Sequence, residues 1–189
     1  MKIRRRTPLR ARTQVTLSTV ALIAALTAGT IASASSSAGA RSDHHTDGVA
    51  RLRGHFALLR APAAASPPAA LARAVAKAPA SYGLRLADAR QAASTGAWLV
   101  PGDGWLCIAA VLSEGLGMSC ASTASAEGGH LSLIERASAT GEEHIIGACP
   151  DGCTTVNALD QSSSRLASSP VTENTYTMST RNAARTGIG

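Results

Sequence analysis

Trp98-Leu99-Val100-Pro101-Gly102-Asp103-Gly104-Trp105-Leu106-Cys107-Ile108-Ala109-Ala110-Val111-Leu112 holds two apolar runs parted by a Pro-Gly-Asp-Gly turn signal. Short apolar runs bounded by glycine and proline read as strands. The same texture continues outward from this stretch. Ala97–Val100, Trp105–Leu112, Met118–Ala121, His130–Glu135, His144–Ala148, Thr154–Leu159, Arg165–Ala167 and Thr175–Met178 alternate with turn signals, among them Gly128-Gly129 and Pro150-Asp151-Gly152. A spacing near ten residues predicts a small antiparallel sheet, sandwich or partial barrel over residues 95–178. Residues 179–189 read as a polar tail, and no internal repeat is visible.

Upstream, the pattern turns helical. Val49, Leu52, Phe56 and Leu59 recur at spacings of three and four, with Arg51, Arg53 and Arg60 off that stripe. An Ala/Pro linker covers 61–68. Ser66 has the character of an N-cap, and Leu71 with Val75 supplies the next apolar pair. Pro79 should end that helix. A third short helix is expected from Leu84 to Ala93. Residues 49–94 thus read as a basic helical segment, preceded by a flexible lead at 35–48.

The first 34 residues read as an export signal. Lys2, Arg4, Arg5, Arg6, Arg10 and Arg12 precede an uncharged stretch, Val15 to Ala32, and Ala32-Ser33-Ala34 is a small-x-small cleavage pattern. A second cleavage pattern is Ala38-Gly39-Ala40. Left uncut, the segment would serve as a membrane anchor. Arg5-Arg6 suggests a twin-arginine route, but Pro8 stands where that signal wants a bulky apolar residue. The chain has 18 Lys and Arg against 12 Asp and Glu, a formal charge of +6. Six of those cations lie in the signal, so cleavage at Ala34 leaves twelve of each sign and no basis for nucleic-acid binding.

The remaining charge is divided. Residues 41–90 hold eight cations and three acids, whereas 91–189 hold four cations and nine acids. Together with the apolar stripes, which need cover, this predicts that the basic helices pack on the acidic β half. The alternative is a free basic arm touching an anionic polymer or lipid.

Aromatic residues make up only 3% of the chain, and much of its 45% hydrophobic content is alanine. Alanine buries little area, so such a core stabilises weakly and cross-links should support it. Four cysteines follow the signal, which leads to an oxidising compartment. Of three pairings, Cys107 with Cys120 and Cys149 with Cys153 are expected. The latter pair flanks a type I turn closed by a left-handed glycine. Redox exchange would prefer Cys-x-x-Cys at a helix start. A zinc site using the thiolates with His130 or His144 has a poor spacing match.

Other chemistry is thin. Gly117-Met118-Ser119-Cys120-Ala121 approaches a nucleophile elbow, with His130, His144 and Asp151 as base and orienter. Asp43-His44-His45-Thr46-Asp47 has metal-ligand chemistry without a fixed geometry. Gly115-Leu116-Gly117 lacks the third glycine of a dinucleotide fingerprint. Glu142 and Glu143 would point to opposite faces of a strand. Trp98 and Trp105 form a candidate ligand patch for sugar or peptide, set against a role as core anchors.

Trp98-Leu99-Val100-Pro101-Gly102, Cys107, Gly117-Met118-Ser119-Cys120, Gly128-Gly129, Pro150-Asp151-Gly152 with Thr155-Val156, and Asn174-Thr175-Tyr176 carry a resemblance. The β half resembles uncharacterised small secreted proteins of high-GC Gram-positive bacteria. The resemblance implies that Cys107–Cys120 is the usual bridge there and Cys149–Cys153 an additional one. It implies no activity.

The expectation is an exported α+β domain: short N-terminal helices, then a small antiparallel β-sheet or sandwich-like domain with two disulfides. A non-catalytic binding or structural module of the cell envelope or exterior ranks first. A small secreted serine-type hydrolase is second, and a membrane-anchored extracytoplasmic domain third. No catalytic residue, cofactor or metal is assigned. The expected partner is an envelope polymer or a protein, and the membrane enters only if the signal stays uncut.

Overall fold

The computed structural model describes residues 43–136, 141–181 and 185–188. The export signal, Arg41 and the cleavage patterns lie outside the described residues. The chain divides into Met1–Ser36 and Ser37–Gly189, and everything described belongs to the second unit.

Helix α1 spans Asp43–His55 and leads into a 3-10 turn at Ala57–Arg60; α2 spans Ala69–Lys77. Among the described residues, ten strands and one more helix follow: β1 Arg90–Gln91, β2 Trp98–Pro101, β3 Trp105–Leu112, β4 Gly115–Ser122, α3 Thr123–Glu127, β5 Leu131–Arg136, β6 Glu142–Ala148, β7 Thr155–Leu159, β8 Arg165–Pro170, β9 Thr175–Arg181 and β10 Arg185–Ile188. All the pairings are antiparallel, in three sheets ordered β1-β2-β3-β4, β5-β6-β9 and β10-β7-β8. The eight runs singled out in the sequence fall on β2 to β9. The strands divide into three antiparallel sheets, a partition that the expectation of a small sheet, sandwich or partial barrel did not specify.

The first sheet explains why its sequence is apolar without alternation. Leu99, Leu106, Ile108 and Ala110 face a core that also contains Leu52, Phe56, Leu58 and Leu59 from the N-terminal segment, and Leu131, Ile146 and Ala148 from the second sheet. The alternate residues Trp98, Val100, Cys107 and Ala109 face Leu71 and Ala89, with Val75, Leu84 and Leu86 packed alongside. A sheet covered on both faces needs apolar residues at successive positions. A third cluster joins Ile145, Tyr176 and Met178 of the second sheet to Val156 and Ala158 of the third.

The helical segment therefore docks on the β half through its apolar stripe. Val49, Leu52, Phe56 and Leu59 are all essentially buried. Ion pairs follow the same direction: Arg51 reaches Glu127 at 2.5 Å and Arg60 reaches Asp151 at 2.8 Å. These pairs are partly exposed and add little individually. The buried apolar side chains hold the segment.

Several expected boundaries move. The flexible lead at 35–48 gives way to α1 from Asp43. The helix expected over Leu84–Ala93 is a short 3-10 turn at Leu86–Asp88 followed by β1. It runs extended because it lies along the first sheet, with Arg85 N–H donating to Pro101 O at 2.8 Å. Ser66 is not the cap of α2; Pro68 holds that position in extended backbone (φ −69°, ψ 154°), and two successive prolines delay the helix to Ala69. The polar tail at 179–189 contains the end of β9 and the whole of β10. Strand β10 pairs with β7 from Arg185↔Leu159 to Ile188↔Val156. Backbone pairing needs no apolar sequence, which hid this strand.

Both expected disulfides are present. Cys107 and Cys120 face each other across β3 and β4 with Cα atoms 4.0 Å apart. Cys149 and Cys153 close the Pro150-Asp151-Gly152 turn with Cα atoms 6.0 Å apart, and Gly152 takes the left-handed φ of +85°. A neighbouring glycine is fixed by packing. A Cβ on Gly147 would lie 2.1 Å from Cζ of Tyr176, which is buried on the adjoining strand. Gly147→Ala should therefore cost about 1–3 kcal/mol by overpacking. Urea unfolding would check this, and an unchanged midpoint would contradict the packing described.

Candidate functional site

Asp151 organises the junction between the helical segment and the β half. Its backbone N–H donates to His55 O at 2.7 Å, near the end of α1. Its Oδ1 accepts from Ala57 N–H at 2.8 Å and from Asn174 Nδ2 at 2.9 Å, while Oδ2 accepts from Arg60 at 2.8 Å. Asn174 is buried in a turn with positive φ at Glu173 (52°) and Asn174 (60°), a conformation that asparagine tolerates. Its Oδ1 accepts from Leu58 N–H at 2.9 Å and its Nδ2 also donates to Cys149 O at 3.0 Å. One aspartate and one asparagine thus satisfy backbone donors at the start of the Ala57–Arg60 turn.

Burial is the largest single influence on Asp151 and pushes its carboxyl upward. The hydrogen bonds from Asn174, Ala57 and Arg60 together outweigh it and hold the group below the usual aspartate range. A carboxyl depressed on folding contributes stability that is present above its unfolded pKa and lost as pH falls through the folded value. Asp151→Ala should cost about 1–3 kcal/mol at neutral pH and flatten the acid limb of the stability curve. Thermal melts from pH 7 downward would measure this; an identical pH profile in variant and wild type would remove the assigned role.

Beside this junction lies a cleft of about 450 Å³ lined by Val49, Ala50, Arg53, Arg60, Arg85 and Asp88. Its three arginines come from separate places: α1, the Ala57–Arg60 turn and the extended segment before β1. Each is oriented by an acid. Arg53 reaches Asp88 at 2.9 Å, Arg60 reaches Asp151 at 2.8 Å and Arg85 approaches Asp103 at 3.8 Å. Arg60 also donates to Arg53 O. The side chains of Arg53, Arg60 and Arg85 stay 44%, 48% and 36% exposed, so they remain accessible to solvent.

The residues singled out in the sequence lie elsewhere. Trp98 is 4% exposed and anchors the core under α2, so it cannot form a ligand patch. Trp105 is half-buried, with its ring stacked on Tyr82 at a centroid distance of 4.0 Å. Ser119 lies on β4 opposite Ile108, and among the described residues no hydrogen bond joins it to a histidine or carboxylate. His144 instead lies 3.3 Å from both Ser179 and Thr177 through its two ring nitrogens. Asp151 serves the junction, and His130 follows α3. Among the described residues, no hydrogen bond links the expected hydrolase residues to one another. The side chains of Asp43, His44, His45, Thr46 and Asp47 lie outside the described residues, although their backbone begins α1.

A second polar group is visible only in the fold. Glu135, His144 and Ser179 are successive register partners across β5, β6 and β9. The hydroxyl and backbone N–H of Ser113 hold Glu135 below the usual glutamate range. Glu143 is buried on the opposite face and pairs with Arg136. Among the described residues no group of three or more His, Cys, Asp and Glu gathers to hold a metal, and all four cysteines are in disulfides. No described helix is long and apolar enough to cross a membrane.

No protein-family model, curated protein or solved structure matches this chain.

Proposed function

We propose that this chain is an exported, non-catalytic binding module of the cell envelope or exterior, with the N-terminal 34 residues serving as its signal. The observation that carries the reading is the pair of disulfides, each bracing the β half: one across β3 and β4, the other across the turn that grips α1. Disulfides persist in oxidising compartments. The basic, acid-free N-terminus with its apolar stretch supports the same route. The resemblance of residues 95–178 to small secreted proteins agrees with it.

The binding surface in this reading is the arginine-lined cleft, since the tryptophans are occupied in packing. The non-catalytic part rests on the scattered positions of Ser119, His130, His144 and Asp151. Incubating residues 35–189 with activated ester and peptide substrates tests it. The expected result is the same background rate for wild type and Ser119→Ala; turnover that disappears with Ser119→Ala would establish the hydrolase instead.

A further inference from the structure

We infer that the cleft between α1, the Ala57–Arg60 turn and the segment before β1 is a binding site for a phosphate ester, held by Arg53, Arg60 and Arg85. The inference rests on the binding-module reading and names the ligand class of that site. Its lining carries three cations and one acid, Asp88, with Val49 and Ala50 as the apolar wall. A volume of about 450 Å³ suits a small ligand or one unit of a polymer.

Each guanidinium is offset by one carboxylate, so an anion here would be held by the N–H donors that those pairings leave over and not by uncompensated charge. The acids explain why the arginines are poised. Asp88 and Asp151 each accept one hydrogen bond from a guanidinium nitrogen, and a second nitrogen of Arg60 is held by Arg53 O. A guanidinium has five N–H donors in a fixed fork, so donors remain on Arg53 and Arg60 after those bonds. Arg53 spends one nitrogen on Asp88; Arg60 spends two, on Asp151 and on Arg53 O. The orientation is prepared before a ligand arrives, which lowers the ordering cost of binding.

Phosphate fits this set better than carboxylate. A carboxylate is planar and satisfies one or two forks. A phosphate ester presents non-bridging oxygens in a tetrahedral array and accepts from several directions. Asp88, Asp151 and Asp103 oppose an anion, but each is already engaged by one of the three arginines. The same chemistry is offered by a small phosphate ester and by a polyol-phosphate chain.

The test uses the mature, oxidised chain labelled for observation of arginine Nε–H resonances. Inorganic phosphate, glycerol phosphate, a short poly(glycerol phosphate) and an oligogalacturonate are titrated separately at physiological ionic strength. Saturable shifts at Arg53, Arg60 and Arg85 with a phosphate ester are expected. Tighter binding of the oligomer than of glycerol phosphate identifies a polymer source, and equal binding per phosphate a small-ester source; both support the site. Arg53→Gln should weaken binding about tenfold or more, whereas Arg165→Gln on β8 should not. Melting temperatures of both variants separate lost binding from lost fold. Equal binding of the oligogalacturonate, shifts spread over all arginines without saturation, or unchanged affinity in folded Arg53→Gln would overturn the inference. Export and the absence of turnover are measured separately, so those parts of the proposed function are distinguished from this outcome.

Discussion

Phe56→Ala is expected to destabilise the protein by about 3–5 kcal/mol, the range for deleting a buried aromatic ring. Phe56 is the chain's one phenylalanine and is fully buried. It sits where α1 passes into the Ala57–Arg60 turn. Its N–H donates to Leu52 O at 2.9 Å, and its carbonyl accepts from Leu59 N–H at 3.1 Å. It belongs to a buried cluster with Leu52, Leu58 and Leu59 from its own segment and Leu99, Ile108, Leu131 and Ile146 from the sheets. The same cluster contains the alanines Ala92, Ala97, Ala110, Ala126 and Ala148. Short side chains cannot lean into the vacated volume, so the cavity term should be nearly full. Phe56→Leu refills most of the space and should lose less, about 1.5 kcal/mol or under. Urea unfolding of both variants measures the difference. If residues 49–94 were a free basic arm, both substitutions would fall within about 0.5 kcal/mol of wild type.

Replacing Cys107 and Cys120 together by alanine should cost about 3 kcal/mol in the chain-entropy account of a cross-link. Their sequence separation is 13. The bridge lies under α2, where Cys107 is fully buried beside Trp98, Val100 and Leu71. Its loss therefore removes both a constraint on the unfolded chain and part of a packed cluster. The Cys149–Cys153 bridge spans a separation of only 4, for which the same account gives about 2 kcal/mol. Its removal should act locally. Without it the Asp151 turn is freer, and the junction to Ala57 and Leu58 weakens before the first sheet does. Denaturation of the two double variants, with amide exchange at Ala57 and Leu58, separates these effects. Equal global losses, with no preferential exchange at the junction, would contradict the division of labour.

These predictions rest on features that were unequally visible in the sequence. Strands β2 to β9 were legible because apolar runs and turn residues set their limits locally. The stripe of Val49, Leu52, Phe56 and Leu59 was legible because helical spacing is local too. The partition into three sheets was not: β6 pairs with β9 across the whole of β7 and β8, and no local signal encodes that choice. The segment around Leu84, Leu86 and Ala89 has a pattern compatible with a helix, but its apolar side chains pack on one face of the first sheet and the edge of β2 draws Arg90 and Gln91 into pairing. Trp98 could have been wall or patch; only the arrival of Leu71 from α2 decides that it is buried.

The cleft shows the limit most directly. Arg53, Arg60 and Arg85 are three of eight cations in a basic stretch, and nothing in their spacing distinguishes them. They meet because α1, the following turn and the extended segment are each tied to the first sheet or to Asp151. Asp151 itself was visible as a turn residue and as a candidate catalytic orienter. It accepts from Ala57 N–H while Asn174 accepts from Leu58 N–H, and Asn174, distant in the chain, comes beside it through the pairing of β6 with β9.

Transport out of a reducing interior, followed by oxidation of every thiol, is the claim on which the account stands. Intact-mass measurement of the protein collected outside its producing cells tests it most directly. The account predicts a chain beginning after Ala34 or Ala40, lighter than the reduced mass by four hydrogens. A full-length chain with four free thiols would contradict it.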